Sequence, residues 1–142
     1  MHLALRSLSG VVLLLGSLAS PAVQAAADIA PQPVDVSTLK PLGEKLLDEN
    51  PYRGDPEAIR VGASAYMQNC ARCHGLQGIS GGLSPDLRLI EIDKENDKYY
   101  LSVTLKGRTR NGKVYMPPYQ ETMSQEAIWA IRAYTDSLPK PE

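Results

Sequence analysis

Residues 70–74 read Cys70-Ala71-Arg72-Cys73-His74, and the chain holds no other cysteine. A Cys-x-x-Cys-His run is the spacing of a covalent haem attachment site. Each thiol can add across one haem vinyl group, leaving a thioether that does not dissociate. Two intervening residues on a turn of helix space the sulfurs for the two vinyls. His74 follows directly, which carries its imidazole under the ring as an iron ligand. Other uses of the pair fit less well. A thioredoxin-type pair needs a βαβ setting, and no strand–helix–strand pattern appears. A structural zinc site needs four ligands, whereas a plain disulfide leaves His74 unexplained. The expectation is one covalently bound haem c with its iron.

The 142 residues suffice for one domain, and the net charge of −1 argues against nucleic acid as a partner. Phenylalanine is absent and tryptophan occurs once, a thin aromatic stock that an attached haem would supplement. Residues 1–25 read as a cleaved secretory signal peptide. Arg6 supplies the positive start, and Leu8 to Leu18 form an apolar run below the roughly 18 residues of a spanning helix. Val23-Gln24-Ala25 offers small residues for cleavage, with Ala25-Ala26-Ala27 as a second choice; an uncleaved anchor is the alternative. Cleavage takes Arg6 from the 15 Lys and Arg and nothing from the 16 Asp and Glu, moving the charge from −1 to −2. It also removes His2, leaving His74 as the one histidine. Export agrees with haem attachment outside the cytoplasm, so a soluble periplasmic protein without a membrane span is expected.

Residues 26–54 form an irregular N-terminal extension, since Pro31, Pro33, Pro41 and Pro51 exclude a long helix or strand. Its leucines (Leu39, Leu46, Leu47) and Tyr52 suggest wrapping onto the body, with a short helical turn over 42–47. The domain proper spans 55–142. A first helix is expected from about Asp55 to Cys70, with Asp55 as N-cap and Pro56 in the first turn. Its apolar face would carry Ile59, Gly62 or Ala63, Tyr66 and Cys70, with Gly62 placed for a close helix crossing. A glycine-rich loop follows His74, and a proline carbonyl in Ser84-Pro85-Asp86-Leu87 could accept the second ring N–H of His74, unless Pro85 is merely a turn residue. A second helix spans about 94–106, starting at Asp93 or Asn96 and burying Tyr100, Val103 and Leu105, with Leu101 as a further candidate. Asn111-Gly112 marks a tight turn. The last helix runs from near Ser124 to Leu138, with Ala127, Ile131, Tyr134 and Leu138 on one face and Ile128 flanking it. Three helices and no strands give an all-α domain.

An iron held by one histidine takes a second axial ligand or stays open; with no second histidine after cleavage, the candidates are methionines. Met67 sits on the helix leading into the motif, on the wrong side of the ring. Met123 just precedes the last helix. Met116 is followed by Pro117 and Pro118, which stiffen an extended loop suited to presenting a thioether. Met116 is therefore the expected partner of His74, in the His/Met pairing.

These motifs together resemble the class I cytochromes c over residues 55–138. The shared features are Gly62 and Tyr66 before the Cys-x-x-Cys-His motif, the Met116-Pro117 loop, and the final Ile128-Trp129-Ala130-Ile131-Arg132-Ala133-Tyr134 helix. Shorter phrases resemble one branch, the periplasmic cytochromes c that accept electrons from PQQ-dependent alcohol dehydrogenases. They are Asn50-Pro51-Tyr52-Arg53, Gly82-Leu83-Ser84-Pro85-Asp86-Leu87-Arg88, and Lys106-Gly107-Arg108 with Tyr115-Met116-Pro117-Pro118-Tyr119. The resemblance implies three helices around one haem, crossing first and last helices, and Pro85 as the carbonyl partner of His74. It implies a monomeric one-electron carrier rather than an enzyme. A quinoprotein alcohol dehydrogenase would be its donor, and a terminal oxidase or another cytochrome its acceptor. The alternatives are a haem-based gas or redox sensor and a cytochrome subunit of a larger oxidoreductase. Finally, Lys98, Lys106, Arg108, Arg110 and Lys113 form a basic stretch after the acidic Glu91, Asp93, Glu95 and Asp97, so a dipolar surface is expected.

Overall fold

A computed structural model describes residues 31–82 and 84–141; the signal-peptide reading of 1–25 lies outside them. Helix α1 spans Pro56–Asn69, α2 Ala71–His74, α3 Lys94–Lys106 and α4 Gln125–Ser137. Single 3-10 turns occupy Leu76–Gly78 and Leu87–Leu89. Each long helix starts on a side-chain oxygen that satisfies free backbone N–H groups. Asp55 accepts from Glu57 and Ala58, Asp93 from Asn96, and Ser124 from Ala127. Gly107 follows the end of α3, where its φ of 67° is open to glycine at little cost.

The chain is not all-α. Residues Arg108–Arg110 (β1) and Lys113–Met116 (β2) pair as an antiparallel hairpin, with a register shift between Arg108 and Thr109. Residues 108–115 are all exposed, so the apolar alternation that betrays a half-buried strand is absent. Only the turn was visible: Asn111 and Gly112 both have positive φ, as a two-residue hairpin turn requires.

Helices α1 and α4 cross at Gly62, where a Cβ would overlap the carbonyl oxygen of Ala130. The buried face of α1 is Ala58, Val61, Gly62, Ala65 and Tyr66, one position round from the expected stripe. Small residues admit the close crossing, and this moves Ile59 and Cys70 to the margin. Helix α3 buries Tyr100 and Leu101 together with the polar Asp97 and Thr104, while Val103 and Leu105 are half-buried. Helix α4 is buried on most of its circumference, from Ala127 through Ala133, and the expected Tyr134 and Leu138 lie at its edge.

The described part of the extension wraps, without a helical turn at 42–47. Leu39 and Tyr52 enter the core, whereas Leu46 faces outward. Its backbone is tied to α4 through Leu42 N–H to Glu126 and Leu47 N–H to Gln125, while Gln125 donates to the carbonyls of Gly43 and Lys45. The Tyr52 hydroxyl donates to the Lys40 carbonyl. Further along, Asn50 N–H donates to Asp97 at 2.9 Å and Arg53 reaches both Asp97 and Asp136.

Candidate functional site: the cavity above the Cys-x-x-Cys-His turn

Helix α1 ends at Asn69, and Cys70 to Gly75 continue as one further turn. There the N–H groups of Cys73 and His74 donate to the Cys70 carbonyl at 3.1 and 2.9 Å. That turn points Cys70, Cys73 and His74 into a cavity of about 390 Å³. Burial pushes the Cys70 thiol up to about 12, while Cys73 is exposed.

His74 Nδ1 lies 3.0 Å from the Pro85 carbonyl oxygen. A carbonyl can only accept, so the proton sits on Nδ1 and the Nε2 lone pair is left free for a metal. The Pro85 loop is held locally. Ser80 Oγ donates to the Ser84 carbonyl and accepts from Gly82 N–H, and the Arg88 guanidinium grips Asp86 at 2.6 Å. Those Arg88 hydrogen bonds lower the Asp86 carboxyl to about 2.

Met116 reaches the same cavity from the end of β2. Its loop is fixed on two sides. Tyr119 and Gln120 N–H donate to the carbonyls of Thr104 and Leu105 at 3.1 and 3.2 Å, and the Tyr119 hydroxyl donates to the Asn69 carbonyl at 2.9 Å. Tyr119 thereby ties the Met116 loop to the end of the helix that carries the cysteines. Tyr66 acts similarly after the motif: its hydroxyl donates to the Gly75 carbonyl at 2.6 Å and accepts from Gly78 N–H. Burial raises both phenols to about 12, so they stay donors at any physiological pH. Their bonds join residues too far apart for sequence spacing to reveal.

Cys70, Cys73, His74, Pro85 and Met116 thus line one cavity. Met123 lines it too, buried, while Met67 is half exposed on α1. Apolar walls come from Leu87, Ile90, Val103 and Ile131, with Tyr100 among them. This lining fits haem: two thiols one turn apart, a free imidazole nitrogen, a thioether, and an apolar surround. The size matters as well. A cavity of about 390 Å³ with mostly apolar walls leaves Leu87, Ile90, Val103 and Ile131 facing an open space, and a bound apolar ring would take that surface out of water.

Behind Tyr100 lies a charge cluster that sequence reading missed. Asp97 and Arg132 are fully buried and pair at 3.1 Å; Arg53 binds Asp97 at 2.7 Å and Asp136 at 3.1 Å, and Arg132 lies 3.0 Å from Asp136. The Arg132 guanidinium also sits 5.4 Å from the centre of the Tyr100 ring, within cation–π range. Two carboxylates and two guanidiniums balance, so the cluster braces extension, α3 and α4 around the cavity wall. Asp97 consequently contributes nothing to an acidic surface.

Comparison with known proteins gives a consistent picture. Residues 57–134 match the family described as cytochrome c oxidase, cbb3-type, subunit III. Cytochrome c550 of Pseudomonas aeruginosa is 46% identical over 135 residues, covering 92% of this chain and 93% of that protein. Quinohaemoprotein alcohol dehydrogenase ADH-IIG of Pseudomonas putida is 32% identical over 80 residues, which are 56% of this chain but 10% of that enzyme. Among solved structures, cytochrome cL of the marine methylotroph Methylophaga aminisulfidivorans superposes with a TM-score of 0.53 at 28% identity, over 70% of this chain and 71% of that one.

Proposed function

The chain belongs to the class I c-type cytochromes, one-electron carriers with covalently bound haem c, and from that premise we propose a periplasmic monomer fed by a PQQ-dependent alcohol dehydrogenase. Its acceptor would be a terminal oxidase or another cytochrome. The observation that carries the donor assignment is the 80-residue likeness to part of a quinohaemoprotein alcohol dehydrogenase.

In this reading Cys70 and Cys73 hold the haem through two thioethers. His74, through Nε2, and Met116, through its sulfur, would be the protein ligands to its iron, and Pro85 would fix the imidazole. The reading is supported by the hydrogen bond between His74 Nδ1 and the Pro85 carbonyl and by the arrival of Met116 in the same cavity. When bound, the haem supplies a couple that accepts and releases one electron. The protein's part is to limit what else happens. With both ligands bound the iron would offer substrates no open position, and the apolar walls would limit water, which disfavours the more highly charged ferric state. The 1–25 leader and the 26–54 extension belong to the same proposal: export first, then wrapping of the extension around the finished domain.

The test is direct. The oxidised protein is mixed with a quinoprotein alcohol dehydrogenase loaded with PQQ and an alcohol. Alcohol-dependent reduction is expected. No reduction, by an enzyme still active with an artificial acceptor, would remove this donor while leaving the carrier role intact.

A further inference from the structure

Behind the cavity wall, the charge cluster holds one carboxylate much less firmly than the other. Asp97 accepts from Asn50 N–H at 2.9 Å, from Arg53 Nη2 at 2.7 Å and from Arg132 Nε at 3.1 Å. Among the described residues, Asp136 accepts from Arg53 Nε alone, at 3.1 Å. Its Oδ1 lies 3.0 Å from Arg132 Nη1, yet both atoms are buried without a hydrogen bond. The Asp136 side chain is only 5% exposed. Charge on a buried carboxylate with an unbonded oxygen is poorly compensated, and burial holds this carboxyl above its ordinary range. Asp97, by contrast, is held below that range by its donors.

The groups facing Asp136 are Arg132 on its own helix, Arg53 from the extension, and Asp97 and Tyr100 from α3. With both carboxylates ionised, two negative charges cancel two guanidiniums. A proton on Asp136 leaves the cluster with one net positive charge. That charge would sit one ring away from the cavity. The Arg132 guanidinium lies 5.4 Å from the centre of the Tyr100 ring, and Tyr100 and Ile131 line the cavity. Arg53 is 33% exposed, so the one donor to Asp136 is a side chain at the surface.

We propose that Asp136, held by Arg53 of the extension, takes up a proton from solvent when the protein accepts its electron, and releases it when the electron leaves. This rests on the reading of the cavity as the haem site. An electron arriving there adds one negative charge, which favours a positive cluster nearby. The electron comes from the donor protein and the proton from water, and the carboxyl O–H is the only bond formed. Arg53 is the positioning residue, because its guanidinium favours the ionised carboxylate. The extension thereby sets the pH at which electron and proton move together.

Spectroelectrochemical titration of the haem-loaded protein tests this. The native midpoint potential should fall by about 30 mV from about pH 4 to about pH 8, equivalent to roughly threefold tighter proton binding in the reduced state at about 59 mV per tenfold. Asp136→Asn cannot ionise, so it should flatten the fall and keep the higher potential throughout. Arg53→Gln keeps the carboxyl but removes the facing cation, so the fall should move to higher pH. A second arm uses the native protein alone. Midway through the fall, its reduced-minus-oxidised infrared spectrum should gain a protonated-carboxyl C=O stretch and lose a carboxylate stretch. A fall that survives Asp136→Asn would give the proton to another group and overturn the proposal. A flat native potential, an unmoved fall in Arg53→Gln, or an infrared spectrum without the carboxyl stretch would overturn it too. Failure of the haem reading itself shows separately, as a purified chain without a Soret band.

Discussion

At Gly62 the backbone of α1 meets the carbonyl oxygen of Ala130 with no room for a methyl group. Gly62→Ala gains about 1 kcal/mol of helix propensity yet forces the helices apart, so a net loss of about 1–3 kcal/mol is expected in a urea melt. A variant as stable as the native protein would show that the crossing yields freely. Met116→Ala should abolish the far-red methionine–ferric iron band and lower the reduction potential, because loss of a thioether ligand favours the ferric state. An unchanged band would transfer the role to Met123, the other buried methionine of the cavity. Asp97 belongs to this scale too. Burial pushes its carboxyl up, but the Asn50 N–H, Arg53 and Arg132 more than offset this and hold it below the usual range. A depressed folded-state value adds stability that is complete above about pH 4 and is lost as pH falls through that lower value. Asp136 has the opposite sign: burial holds it raised, so it opposes folding above its unfolded value and eases as pH falls. Thermal melts should therefore lose stability below about pH 4, and Asp97→Asn should flatten that decline while costing about 3–5 kcal/mol at neutral pH. A variant with the native pH profile would exclude Asp97 as the titrating group.

Among the elements, the three long helices were legible because Asp55, Asp93 and Ser124 cap them, and a cap is a local signal. Their buried faces were less so. Periodicity favours large apolar residues, whereas α1 packs through Ala58, Gly62 and Ala65 and α4 is covered nearly all round. The hairpin gave no strand signal, being exposed on both faces. The Asp97–Arg132 pair spans 35 residues and the Asp97–Arg53 pair 44, so nothing in the local sequence separated Asp97 from a surface acid. The end of the extension is held through this cluster, by Asn50 and Arg53. Arg53→Ala should cost about 1–3 kcal/mol, between exposed and buried pairs. It should also speed hydrogen exchange at Asn50 N–H, which donates to Asp97. Unchanged exchange there would mean that the tie to α4 through Gln125 suffices alone.

For the molecule as a whole, five residues named from sequence share one cavity because Cys70, Cys73 and His74 are contiguous, while Met116 and Pro85 sit on loops pinned to the same helix ends. The cavity walls were not legible, since Leu87, Ile90, Val103 and Ile131 come from separate elements. With no phenylalanine and one tryptophan, the core depends on what fills the 390 Å³ cavity. Cys70→Ala with Cys73→Ala should therefore yield little helical protein by circular dichroism; native helix content without haem would contradict this. The central proposal is that His74 and Met116 would both bind the iron of the haem and leave it no position for an added ligand. A carbon monoxide titration of the reduced protein tests it most directly. The native spectrum should stay unchanged while Met116→Ala shifts, and a stoichiometric carbon monoxide complex of the native protein would contradict the account.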